Sequence, residues 1–89
     1  MTHKIKLAER YADAVATGKK PFEVRDNDRD YQKGDLIQFV TYDAEEKAFY
    51  KHPISDMVFV ILYVYSGVGV EPGYVVLGIE HWIEPDEEA

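Results

Sequence analysis

No cysteine occurs among the 89 residues, so neither a disulfide nor thiolate chemistry is open to this chain. A reducing cytoplasm is the setting such a composition suits. Long apolar runs are also missing: the longest, Met57 to Tyr65, is nine residues, far short of the roughly 20 that a membrane-spanning helix needs. The first residues lack the basic-then-apolar profile of a secretory signal. Serine occurs only at 55 and 66, and the three histidines (His3, His52, His81) lie far apart. No Ser-His-Asp order and no zinc-ligand spacing can be drawn from them, and no metal or cofactor is expected. Basic charge is scarce where acid is plentiful. Residues 1–35 carry eight Lys or Arg against seven acids, whereas residues 36–89 carry two against ten, for a net charge of −7. Broad, sequence-independent DNA binding needs several phosphate contacts from a basic surface and is excluded on this balance.

What is present is enough apolar material for one small folded domain: 46% hydrophobic and 13% aromatic residues, against the low hydrophobicity of disordered chains. His3 to Leu7 alternates polar and apolar, as a short strand or a helix lead-in does. From Ala8 the spacing of Tyr11, Ala14 and Val15, with Leu7 one turn earlier, predicts a helix with Tyr11 in the core. Gly18 falls where that helix should stop. Pro21 then bars a return to helix, and the pattern changes to period two. Phe22 and Val24 fall on one face, Glu23 and Arg25 on the other. Strands are predicted over 36–42, briefly at 49–50, across 54–65 and over 74–80. In the 54–65 segment both faces are apolar, so both are expected to be covered. Trp82 is expected to tuck against the sheet, with 84–89 an acidic tail following a domain of residues 1–83.

Asp26, Asp28 and Asp30 mimic the first ligands of a calcium loop. Tyr31 stands where that loop needs Gly, and Ile37 where it needs Glu, so calcium is rejected. A polar turn with Asx capping fits better. Ser66 to Gly73 contains a Gly-x-Gly too short for a phosphate-binding fingerprint.

The spacing Gly-x-Lys-x-x-Glu-x-Arg, filled by Gly18, Lys20, Glu23 and Arg25, resembles the signature of the ASCH (activating signal cointegrator homology) family, a branch of the PUA-like superfamily. The polar turn from Asp26 into Gly34-Asp35 and the stretch from Gly73 to Glu80 are also similar to that family, so the likeness runs from His3 to Glu80. It implies an α+β fold, a PUA-like mixed β-barrel of five to six strands with one principal N-terminal helix. It also implies an RNA- or nucleotide-binding module whose cleft lies at the helix-to-strand junction. Lys20 and Arg25 would meet phosphate, and Glu23 would accept from base or sugar or orient Arg25. Arg29 would reach the same face, and Tyr31 would offer a stacking surface.

Two alternatives accompany that expectation. One branch of the family resembles an acetylcytidine amidohydrolase. Lys20 matches its lysine, but Glu23 stands at its threonine position, and the Ser66–Gly73 loop is too short for its helical insertion. Hydrolysis would fall to Lys20 and Glu23. The other alternative is an interaction or regulatory domain of a mobile element, in which the motif only holds the helix on the sheet. The plainest reading of the same residues is a solvated strand face with a surface ion pair.

Overall fold

The computed structural model describes residues 1–83; the expected acidic tail over 84–89 lies outside the described residues. The fold is α+β: β1 (Thr2–Ala8), α1 (Glu9–Ala16), β2 (Phe22–Asp26), β3 (Leu36–Asp43), β4 (Ala48–Tyr50), β5 (Val58–Tyr65) and β6 (Tyr74–Trp82), with a 3-10 turn at Pro53–Asp56. The sheet order is β1-β3-β5-β6-β2, with β4 added beside β3. Among the described residues only β1 and β3 run parallel, the crossover between them carrying α1 and β2. The alternation of His3 to Leu7 resolves as a strand, with His3, Ile5 and Leu7 facing inward.

The core lies on one side of this sheet. Ile5, Leu7, Ile37, Phe39, Phe59, Leu77 and Ile79 are buried together with Ala12 and Val15 of the helix. Phe39 and Phe59 meet edge-on at 5.4 Å. The helix therefore covers the inner side. Tyr11, expected in the core, is instead 37% exposed. A helix of eight residues has only a narrow buried stripe, and the small Ala12 and Val15 occupy it.

The expected barrel does not close. β1 and β2 are the two ends of the strand order, yet side chains bridge them: Arg25 Nη2 of β2 donates to the Lys6 carbonyl of β1 at 2.6 Å. Arg29 Nη1, just after β2, donates to the Lys4 carbonyl at 2.7 Å. The sheet curls until its edges face each other, and two guanidinium groups span the seam where peptide groups would close a barrel. The reason lies in β2, which turns its polar side chains inward and its apolar ones out.

A bulge overturns a second expectation. The β5–β6 register slips between Ile61 and Tyr63, so Leu62 is the extra residue and the inward face changes parity there. Phe59, Ile61 and Val64 face the core, while Leu62, Tyr63 and Tyr65 stand exposed. The outer face of this strand is thus uncovered. Trp82 also lies on that outer face and is partly exposed, not tucked inside.

Asp35, which opens β3 after the positive-φ Gly34, anchors the start of β1. His3 Nε2, on a ring 4% exposed, donates to Asp35 Oδ2 at 2.8 Å, and the Gln32 amide donates to the same oxygen at 3.1 Å. The His3 hydrogen bond, followed by that of Gln32, holds the Asp35 carboxyl below its ordinary value against the opposing effect of desolvation. A carboxyl depressed in the folded state adds stability above its unfolded pKa, about 3.9, and loses it as pH falls through the folded value. Acid titration of unfolding should therefore show a limb below about pH 4 that flattens in Asp35→Asn. Equal acid limbs in the two proteins would remove Asp35 from the account. Among the described residues, no helix is long and apolar enough to cross a membrane.

Candidate functional site

The helix ends as its sequence dictates. Gly18 takes φ +79°, and its amide returns to the Val15 carbonyl at 3.2 Å. The Lys20 amide reaches the Ala14 carbonyl at 2.9 Å, so the turn wraps back over the helix end. Pro21 then enters the strand, its carbonyl accepting from the Ile79 amide of β6 at 3.0 Å.

Three motif side chains meet directly behind this turn. Lys20 Nζ donates to Glu23 Oε1 at 3.2 Å and to the Phe22 carbonyl at 3.0 Å. Its ammonium also lies 4.8 Å from the ring centres of both Tyr11 and Phe22. On the other side, Arg25 Nε lies 3.3 Å from Glu23 Oε2. Glu23 itself is only 4% exposed. One buried carboxylate is therefore held between two cations, each anchored elsewhere on the backbone. Arg25 Nε is enclosed without an aligned hydrogen-bond acceptor among the described residues, so its pairing with Glu23 is electrostatic contact and not a directed bond.

Arg29 and Tyr31 join this group from the loop after β2. Tyr31 is 4% exposed and stands edge-on to His3 at 4.8 Å. It is a core residue, which corrects the expected stacking surface: a buried ring cannot present its face to a base. Burial raises its hydroxyl pKa, while the charges of Arg29 and Arg25 pull the other way. Asn27 Oδ1 accepts from the Tyr31 amide at 3.3 Å, the Asx capping expected of that turn. The plain solvated-face reading fails for Glu23, which is buried.

A cleft of about 510 Å³ opens beside the group at the helix-to-strand junction. One wall is the helix end with Gly18, Lys20 and Pro21; the other is Phe59 and Leu62 of β5 with Ile79, Glu80 and His81 of β6. Of the five residues singled out in the sequence, Lys20 alone lines it. Glu23, Arg25, Arg29 and Tyr31 gather at the seam behind. Sequence reasoning missed Leu62, Glu80 and His81. Leu62 reaches the cleft through the β5 bulge, which leaves no composition signal. His81 belongs to no ligand spacing, and only its pairing with Phe59 across the sheet brings it to the cleft. Among the described residues, no group of three or more His, Cys, Asp or Glu side chains is placed to hold a metal ion.

A family model described as a domain of unknown function, DUF3850, matches residues 2–79. No curated protein sequence matches the chain. Among solved structures, the crystal structure of hypothetical protein PH0355 is similar, with a TM-score of 0.59 and 20% identity over 92% of this chain and 100% of that one. At that identity the likeness speaks for the fold alone.

Proposed function

The chain belongs to the DUF3850 family of domains of unknown function, and on that footing we propose that it is an ASCH-type, PUA-like module that binds a nucleotide or an unpaired base of RNA. The observation that carries this reading is the cleft at the Gly18–Arg25 junction. Its volume of about 510 Å³ falls in the range of small-molecule sites, and Lys20 stands on its wall.

The electrostatics of the cleft favour one part of a nucleotide over another. The C-terminal end of α1 lines it, bringing the partial negative charge of a helix terminus. That charge favours hydrogen-bond donors such as the exocyclic amine of a base, while Val15, Phe59 and Leu62 suit its apolar faces. A phosphate belongs at the rim, where Lys20 keeps one ammonium donor beyond the two used on Phe22 and Glu23.

Glu23 and Arg25 serve as positioning residues in this reading, because they are committed to each other and Arg25 also to β1. The amidohydrolase alternative draws less support. It needs Glu23 as a free base facing the ligand, and Glu23 is enclosed between Lys20 and Arg25 away from the cleft lining.

An NMR titration with nucleosides, nucleotides and short RNAs tests the proposal. Amide shifts are expected at Gly18, Lys20, Leu62 and His81. Lys20→Met should weaken phosphate-bearing ligands by about tenfold, the effect of one charged hydrogen bond, while sparing nucleosides. Salt dependence should be shallow, with a slope near that of one phosphate contact, about −0.7. Titrations that leave the cleft amides unmoved would overturn the assignment.

A further inference from the structure

The outer face of β2, β6 and β5 shows an ordered pattern that the cleft does not use. Residues paired across strands share a face, so the register aligns Phe22 with Gly78 and Tyr63 in one row. Val24, Val76 and Tyr65 form the next row, and Asp26 stands beside Tyr74 in the last. Tyr63 is 65% exposed, Val24 53% and Phe22 42%. This is the reverse of an ordinary sheet, where a strand's apolar face is the buried one. Here β2 buries Glu23, half-buries Arg25 and leaves its apolar side in water. In the first row Gly78, which has no side chain, stands between the exposed Phe22 and Tyr63.

Charge says what covers this face. Glu80 and Asp26, both exposed, close the two ends of the apolar rows on the same side of the sheet. Glu71 sits in the turn whose carbonyl holds the Tyr74 amide, and Asp30 borders the hollow beneath Tyr63 together with Lys33. Lys20, near Phe22, is already paired with Glu23. Lys4 lies across the seam on β1. The rim is therefore predominantly acidic. A second copy would set carboxylates against carboxylates on chains of net charge −7, and an RNA strand would set phosphates against them.

We propose that this face docks a basic polypeptide segment of a partner protein: an apolar or aromatic side chain seated at Gly78 between Phe22 and Tyr63, with Lys or Arg flanking it to meet Asp26 and Glu80. The strand span from Glu80 to Tyr74 is about 20 Å at roughly 3.3 Å per residue, which sets the separation of the two basic groups. Exposed aromatic rings on either side of a position without a side chain are a composition suited to an interface anchor. The surface is independent of the cleft except at Glu80.

The test is selection from a random phage-displayed library of peptides of about 12 residues, long enough to span the face, against the full chain. Enriched peptides should carry an apolar or aromatic centre flanked by Lys or Arg. Their binding should shift the amides of Val24, Tyr63 and Val76. Tyr63→Ser and Asp26→Lys, both on solvent-facing positions, should each weaken binding by about tenfold with unchanged circular dichroism, and the Asp26→Lys loss should shrink at high salt. The proposal is overturned if enriched peptides are acidic or unaffected by both variants, or if nothing is enriched over the Tyr63→Ser chain. It is equally overturned if a uridine 12-mer or dilution of a self-associated chain moves these same amides. The nucleotide titration is read at Gly18, Lys20, Leu62 and His81 and this selection at Val24, Tyr63 and Val76, so the two proposals fail separately.

Discussion

Replacing Glu23 by alanine should lower stability by about 2–3 kcal/mol, near 10–20 °C in Tm for a domain of this size, the largest effect expected of any motif substitution. The carboxylate is 4% exposed and neutralises two cations at once, at 3.2 and 3.3 Å. Removing it strands Lys20 and Arg25, whose side chains are only 18% and 23% exposed. An enclosed cation without its partner costs more than the pair ever contributed. Removing either cation alone leaves Glu23 the other, so Lys20→Met and Arg25→Met should each cost less than Glu23→Ala. Combining Glu23→Ala with Lys20→Met should recover part of the loss, because the stranded charge goes with its partner. Thermal unfolding followed by circular dichroism measures all four. A Glu23→Ala chain that melts within about 2 °C of the parent would show that the carboxylate anchors nothing.

This ordering bears on how ligand measurements are designed. A binding loss in Glu23→Ala is uninformative unless measured well below that variant's Tm. Lys20→Met is the cleaner probe of the cleft, since it removes a lining residue and leaves Glu23 paired with Arg25.

Much of the frame is legible. Gly18 ends the helix and Gly34 precedes β3, both at positive φ, and the strands expected at 36–42, 49–50 and 74–80 stand at Leu36–Asp43, Ala48–Tyr50 and Tyr74–Trp82. The convergence of Lys20, Glu23 and Arg25 was also legible, because period two puts 23 and 25 on one face and the Gly-Pro turn brings Lys20 beside them. What was hidden is which face turns inward. Composition says the Phe22–Val24 side, and the structure turns Glu23 and Arg25 inward instead. That choice depends on the seam with β1, a contact between residues 19 and 25 positions apart that no local pattern encodes. The bulge at Leu62 is equally silent: an unbroken run of Val, Ile, Leu and Tyr looks the same with or without an inserted residue. It decides both the far wall of the cleft and the exposure of Tyr63. Tyr11 stands exposed because Ala12 and Val15 fill the buried stripe of so short a helix, and Lys20 lies against its ring at 4.8 Å.

The seam itself makes the second large prediction. Arg25→Gln combined with Arg29→Gln should cost about 3 kcal/mol, and the loss should be local before it is global. Each arginine supplies one short charge-assisted bond to a β1 carbonyl, worth more than a neutral bond of the same kind. Arg25 also carries half of the compensation for Glu23. Arg29→Gln alone touches only the Lys4 carbonyl and should cost about 1 kcal/mol. No strand ladder joins β1 to β2, so nothing else in the sheet can restrain the two edges once both guanidinium groups are gone. Amide exchange in β1 and β2 should then accelerate by roughly a hundredfold, while β3 and β5, paired inside the sheet, slow that response to whatever the global loss imposes. Uniform acceleration across all strands would mean that the arginines merely add to overall stability. Acceleration greater in β1 and β2 than in β3 and β5 would mean that they hold the sheet's edges together, and with them the strand that follows Lys20.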